Sequence, residues 1–384
     1  MNVRILIASA AAALLLSEGA HAAPIDIPVQ TWVKRILPAS GEGACPYGCK
    51  HMRLTVNPTN GRIYFCGGDY STDDPYLDSG RNEIYSYDVA TDSWTQEFPY
   101  CAPTGQVQPS HPDEVGWVFD TARNKFWMIP GYMGVPGGAD GGLCPSGTTN
   151  MIRWETMTWD PVTKVWTLPN VPEANVPTLG DDGFAQYDPV TDTIIQFHYT
   201  GATKVGIFDI KSNSWTEVST PFSADLSKEY SVFDPVDRVI YAIEGFQNKV
   251  YRYEIDTRTL TVFADAPAGT GRAQSHPVWD SVNRVILWFD HCCNNPPSAA
   301  QFHVFHPTTK VWETLPTTLP EDGGPVFGNC TVFDPVQNVL LVMGDAVDMS
   351  RPYFYLYRYG TGSGSPPPPP DGIAPSAVSD LRPR

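Results

Sequence analysis

The chain has 384 residues, with 25 Lys and Arg against 42 Asp and Glu, a formal net charge of −17. That balance excludes the basic footprint with which a protein neutralises nucleic-acid phosphates. With 17% charged residues, 12% aromatic residues, 37 Pro and 32 Gly, it also excludes an acidic disordered polymer and points to short strands joined by many turns.

In chain order, Arg4 precedes an apolar run from Ile5 to Leu16, and Ala20-His21-Ala22 sets small residues at the spacing that signal peptidase cleaves. The run is shorter than the roughly 20 residues that span a bilayer, and no later segment is apolar enough to cross one. Residues 1–22 are therefore expected to be a signal peptide, and the protein to be secreted or periplasmic with no membrane span.

Thr31 to Pro38 comes next, and its Trp-centred pattern matches Val165-Trp166-Thr167-Leu168-Pro169. A repeat then fills the chain. One unit reads aromatic-Asp-Pro-Val before a short apolar strand. It appears at Phe119-Asp120, Tyr187-Asp188-Pro189-Val190, Phe233-Asp234-Pro235-Val236, Trp279-Asp280-Ser281-Val282 and Phe333-Asp334-Pro335-Val336, with Val56-Asn57-Pro58 as an altered first copy. Asp followed by Pro suits the first two positions of a type I turn, so each copy predicts a hairpin. A second unit sets an aromatic residue ahead of a Trp: Tyr87/Trp94, Trp159/Trp166, Phe208/Trp215 and Phe305/Trp312, with Tyr253/Leu260 keeping the spacing.

Two hairpins per repeat make four strands, which is one propeller blade. Six first hairpins are visible, but one second hairpin lacks its last strand, and the segment around Trp32 supplies it. The sequence thus predicts an all-β, six-bladed β-propeller over residues 31–359, with four antiparallel strands per blade and the last blade closed by the N-terminal strand. Closure hides the edges that an open sheet would expose. Residues 360–384, including Pro366 to Pro370, read as a linker or disordered tail. Ile373 to Leu381 is similar to the first strand of a fibronectin type III module, so the tail could also lead to a downstream domain.

Cys45, Cys49, Cys66, Cys101, Cys144, Cys292, Cys293 and Cys330 suggest disulfides in an exported chain. Eight cysteines allow on the order of a hundred pairings. Cys292 and Cys293 either form a vicinal disulfide or each pair elsewhere. All eight fall on or near the rim opposite the hairpins, where the long connections 67–82, 97–110, 131–150 and 290–300 lie. Long loops on a rigid scaffold mark that rim as the binding face, and Tyr70, Tyr76, Tyr100 and Tyr132 there could stack on sugar rings.

Alignment on the Asp turns brings His51, Glu114, Asp182, Glu229, His276 and Asn329 to the channel mouth. Strand exits add Asp69, His198, Glu244, His291 and Asp345. From these, His51, Glu114, Asp182, Glu229, His276 and His291 are the candidate ligand-binding residues, suited to acid/base work or a hydroxyl-rich ligand; the plainer role is to hydrate a wet channel. Asp69, Asp73, Asp74 and Asp78 share one loop, where their oxygens would suit Ca²⁺ or stand as solvated acids. His303 and His306 read as surface or turn residues.

Cys66-Gly67-Gly68 at a strand end, followed by Tyr87-Asp88 and Trp94, resembles the kelch blade of the galactose-oxidase-like superfamily; other blades keep single glycines at Gly131, Gly245 and Gly344. The resemblance covers nearly all of the chain beyond the signal peptide. It implies a fold and identifies no chemistry. Enzymes of that superfamily hold copper with two Tyr and two His on a seven-bladed ring, and neither feature is matched here, so copper is disfavoured and no cofactor is assigned. The expected function is a module that binds carbohydrate or an extracellular protein through its disulfide-rich loop face. The alternative is a sugar-active enzyme of lyase, epimerase or oxidase type, with Glu114, Asp182 or His276 as base. A structural part in an extracellular assembly is the third reading.

Overall fold

The computed structural model of the chain describes residues 26–36, 53–66, 83–99, 106–109, 116–129, 150–152, 156–169, 171, 184–197, 204–219, 231–244, 248–267, 276–290, 301–316, 331–343 and 353–361. Among these residues every regular element is a strand, and there is no helix that could cross a membrane. The signal peptide expected at 1–22 lies outside them, as does the tail expected at 360–384 except for Gly360 and Thr361.

Six four-stranded antiparallel sheets form the blades. Blade one holds β2 (Arg53–Asn57), β3 (Arg62–Cys66), β4 (Ile84–Asp88) and β5 (Ser93–Phe98). Blade two holds β7 (Gly116–Asp120), β8 (Lys125–Ile129), β10 (Met157–Asp160) and β11 (Val165–Thr167); beside it β6 (Val107–Pro109) pairs in parallel with β9 (Asn150–Ile152). Blade three is β12 (Ala185–Asp188), β13 (Thr193–Phe197), β14 (Lys204–Asp209) and β15 (Ser214–Ser219). Blade four is β16 (Ser231–Asp234), β17 (Val239–Glu244), β18 (Lys249–Glu254) and β19 (Thr259–Asp265). Blade five is β20 (Val278–Asp280), β21 (Val285–Asp290), β22 (Gln301–His306) and β23 (Val311–Leu315). Blade six joins β24 (Thr331–Asp334), β25 (Val339–Met343) and β26 (Tyr353–Tyr357) to β1 (Trp32–Ile36), which runs antiparallel along β26.

The repeat units of the sequence become the two hairpins of each blade. At each inner hairpin the Asp Oδ1 or Oδ2 accepts backbone N–H bonds from the residues two and three further on, as Asp234 Oδ1 does from Val236 (2.9 Å) and Asp237 (3.3 Å). Asn57 accepts one such bond, from Thr59 at 2.9 Å. This side-chain cap is why Asp or Asn opens each turn. The turn closes on a left-handed residue: Gly61, Asn124, Asp192, Arg238, Arg284 and Asn338 have φ between 52° and 66°. In the outer hairpins the aromatic and the Trp are direct cross-strand partners, Tyr87 with Trp94 and Phe208 with Trp215. Trp32 completes this set opposite Tyr357. The N-terminal strand therefore supplies the fifth Trp of the set, Leu260 taking the place in blade four, as well as the sixth outer strand.

Strand periodicity then seals the ring. Side chains alternate between the two faces of a strand, and each blade packs against a neighbour on both faces. The residue six places after the turn Asp or Asn faces the preceding blade, and the next one faces the following blade. Thus Phe126 packs with Tyr64 and Trp159 between blades one and two, whereas Trp127 packs with Phe208 and Trp215 between blades two and three. Six separate hydrophobic clusters result, one for each blade boundary.

Two expectations are corrected. Cys66 carries a free, buried thiol and no disulfide. At the loop-side end of β3, it shares a face with Tyr64 and points sideways into the boundary with blade two, among Ile84, Phe98 and Met128. Burial pushes its thiol pKa up, suppressing the reactive thiolate. The other seven cysteines, Cys292 and Cys293 among them, lie outside the described residues. His303 is buried and far from surface-like: on the third strand of blade five it packs near Trp288 and Trp312, its Nδ1 lies 3.0 Å from Thr314 Oγ1, and burial lowers its pKa. His306 does sit at the turn, where its carbonyl accepts the Lys310 N–H at 2.7 Å.

Candidate ligand site in the central channel

The six innermost strands each have a sheet neighbour on one side only, so their other edges, with backbone N–H and C=O groups, turn toward the ring axis. A cavity of about 380 Å³ runs along that axis. Counting back from the turn Asp or Asn gives its layers. Two places before it stand Thr55, Gln186, Val232, Val278 and Val332; three before it, Leu54, Ser231, Pro277 and Thr331; four before it, Phe184 and His276. On the far side of the turn residue, Pro58, Pro235, Ser281 and Pro335 ring the hairpin end.

The two mouths differ chemically. The hairpin end is narrowed by rigid prolines with no N–H to offer. The loop end gathers a hydroxyl pair, an amide and an imidazole beside the Phe184 ring. The His276 and Phe184 rings meet edge-on at 5.4 Å, and Thr331 Oγ1 donates to the His276 carbonyl. Gln186 Nε2 donates to the Ser231 carbonyl across the boundary between blades three and four, at 2.9 Å. The Ser231 hydroxyl is buried and has no hydrogen-bond partner among the described residues.

No described residue of blade two lines the cavity. Gly116 opens its inner strand, and a Cβ there would stand 2.5 Å from Ala185 Cβ and 3.1 Å from Ile129 Cβ. Blades two and three meet backbone to backbone at this point, a close approach that only glycine permits.

Of the residues expected at the channel mouth, His276 lies within the described part and lines the cavity. His51, Glu114, Asp182, Glu229, His291 and Asn329 lie outside it, as do Asp69, His198, Asp345, the acidic loop considered for Ca²⁺ and the loop tyrosines. Within the described lining, His276 is the one ionisable side chain, and the walls are largely Val, Phe, Pro and Trp. Sequence reasoning missed Ser231, Gln186, Thr331 and Phe184, because it searched for charged residues. Counting two to four places back from each turn Asp would have found them.

No family model matches the chain, and no curated protein sequence matches it. Among solved structures it is similar to a structural-genomics protein of unknown function from Bacteroides thetaiotaomicron, with a TM-score of 0.52 over 85% of this chain and 76% of that one. At 12% sequence identity, the likeness is one of propeller fold.

Proposed function

We propose that the protein is an exported ligand-binding propeller that takes a carbohydrate at the loop-side mouth of its channel. The buried, unpartnered hydroxyl of Ser231 in a cavity of about 380 Å³ carries this reading. That volume falls within the ~300–1,000 Å³ of small-molecule sites. Strand edges and the Ser231, Thr331, Gln186 and His276 side chains suit hydroxyl groups, while valine walls and the Phe184 ring suit the C–H faces of a sugar. A buried polar atom without a partner costs about 1–3 kcal/mol, so a ligand that satisfies Ser231 recovers part of that cost.

The test is calorimetric titration with a panel of mono- and oligosaccharides, on the wild type and on Ser231→Ala and Phe184→Ala. Saturable binding is expected, weakened roughly 2- to 10-fold in Ser231→Ala by loss of one hydrogen bond and weakened also in Phe184→Ala by loss of the ring, with Ser231→Ala at least as stable to unfolding as the wild type. A blank panel overturns the carbohydrate reading and turns attention to protein partners. Turnover of a bound sugar that His276→Ala abolishes would instead establish the enzymatic alternative.

A further inference from the structure

The inner turns form a belt of contacts around the hairpin rim. Thr59 Oγ1 donates to Asn124 Oδ1 (3.3 Å) between blades one and two, and Arg123 donates to both oxygens of Asp192 (2.7 and 2.5 Å) between blades two and three. Arg238 reaches back from blade four to Asp188 (2.7 Å), and Arg284 from blade five to Asp234 (3.2 Å). Asp188 and Asp234 are almost wholly buried, so each Arg neutralises a charge that has left water. Both arginines occupy the left-handed last position of their turn.

At the seam between blades five and six the buried Asp280 takes the Asn283 amide on its Oδ2 (2.7 Å) in place of an arginine, and the seam between blade six and blade one lacks even that. Asp334 is fully buried; its Oδ1 accepts the Val336 and Gln337 N–H groups at 2.9 and 3.2 Å, and its Oδ2 has no partner among the described residues. The turn position in blade one from which an arginine would reach back is Gly61. The charged groups around the seam are otherwise engaged. Asp88, across the seam, repels the Asp334 charge and is itself 3.7 Å from Arg62. Arg62 donates to Ser86 Oγ and Thr95 Oγ1, and Arg358 to the Ile27, Gln337 and Asn338 carbonyls.

We infer that this seam is an acid-tightened joint, in which a neutral Asp334 stands in place of the arginine–aspartate pairs found between blades three and four and between blades four and five. A protonated carboxyl needs no counter-cation, and the turn it caps needs only Oδ1. Burial, with Asp88 adding to it, raises the Asp334 pKa from 3.8 to about 6. The folded state then holds more protons than the unfolded state between those values, so this residue's contribution is complete below 3.8 and is lost as pH rises through 6. The seam borders the channel through Phe333 and Pro335 on one side and Val56 and Pro58 on the other, so the joint acts on the wall of the candidate site.

The experiment is urea unfolding of the full chain, wild type against Asp334→Asn, from pH 4 to pH 8. Asn57 shows that Asn is accepted at this turn position. The two proteins should have similar stability at pH 4. By pH 7.5 the variant should be favoured by up to about 150-fold in folding equilibrium, about 3 kcal/mol at 1.36 kcal/mol per pH unit. Gly61→Arg, which restores the missing partner, should raise wild-type stability at pH 7.5 and flatten its pH dependence between 4 and 6. Parallel pH profiles for wild type and Asp334→Asn overturn the proposal. So does a stabilisation by Na⁺ or K⁺ at pH 7.5 that Asp334→Asn abolishes, since a bound cation would then balance the charge. If Asp334→Asn does not fold, the Gly61→Arg profile decides alone: a slope between pH 4 and 6 unchanged from wild type overturns the proposal.

Discussion

Arg238 Nη2 lies 2.7 Å from Asp188 Oδ2, so a residue at the end of one blade's inner turn neutralises the buried carboxylate that begins the turn before it. An arginine in the left-handed region pays roughly 1–2 kcal/mol in backbone strain, and this reach is what the position gains. The same guanidinium touches Asp256 at 2.6 Å, but that carboxylate is 70% exposed.

Arg238→Ala should therefore destabilise the protein by roughly 2–4 kcal/mol, because it strands the Asp188 charge inside. Asp256→Ala should cost less than about 1 kcal/mol, as exposed ion pairs do. Denaturant unfolding of both variants checks the contrast; equal effects would mean that the buried pair is not the important one.

Trp32 is the residue on which closure of blade six rests. Its ring lies 4.6 Å from Tyr357 and 5.4 Å from both Phe289 and Phe302, centroid to centroid. Trp32→Ala should cost roughly 3–5 kcal/mol. Trp94→Ala, at a half-buried site in blade one, should cost distinctly less, measured by the same unfolding curves.

Gly116→Ala should destabilise by roughly 1–3 kcal/mol through overpacking. Both neighbours it would strike, Ala185 Cβ and Ile129 Cβ, are fixed to the backbone and cannot swing aside. Ala185→Gly should relieve most of the loss, and a double-mutant cycle measures that coupling.

Cys66 should resist alkylation in the native protein and react fully after denaturation, read by mass spectrometry of the peptide that carries it. Prompt native labelling at pH 8 would contradict its placement between blades one and two.

The blade architecture was legible because two devices are local. An Asp or Asn that caps its own turn and an aromatic facing a Trp or Leu across a hairpin both write themselves as short motifs, six and five times over. Even the closure was readable, since Trp32 carries the outer-strand pattern found at Trp166. Cys66 and His303 misled for a shared reason: residue type suggested a bridge and a surface, but strand parity decides which face a side chain takes, and in a propeller both faces of a blade are interior. The channel site was the least legible. Ser231, Gln186 and Phe184 are unremarkable in sequence, and only their places two to four residues ahead of the turns at Asp188 and Asp234 bring them together. The arginine belt lay between these extremes, for Asp234-Pro235-Val236-Asp237-Arg238 and Asp280-Ser281-Val282-Asn283-Arg284 repeat the same spacing in plain view.

Trp32 and Tyr357 stand at opposite ends of the described chain and yet are cross-strand partners. During synthesis the first strand emerges long before its receptor exists, and five blades can assemble while it waits. Contacts of such long range slow folding, and an unpaired strand edge invites association with other chains. A ribosomal product that stops short of Tyr353 would leave β1 without its partner strand and take Phe354 and Leu356 from the face of blade one. Completeness of translation is thus registered by the fold itself, as the difference between a sealed circle and an adhesive arc.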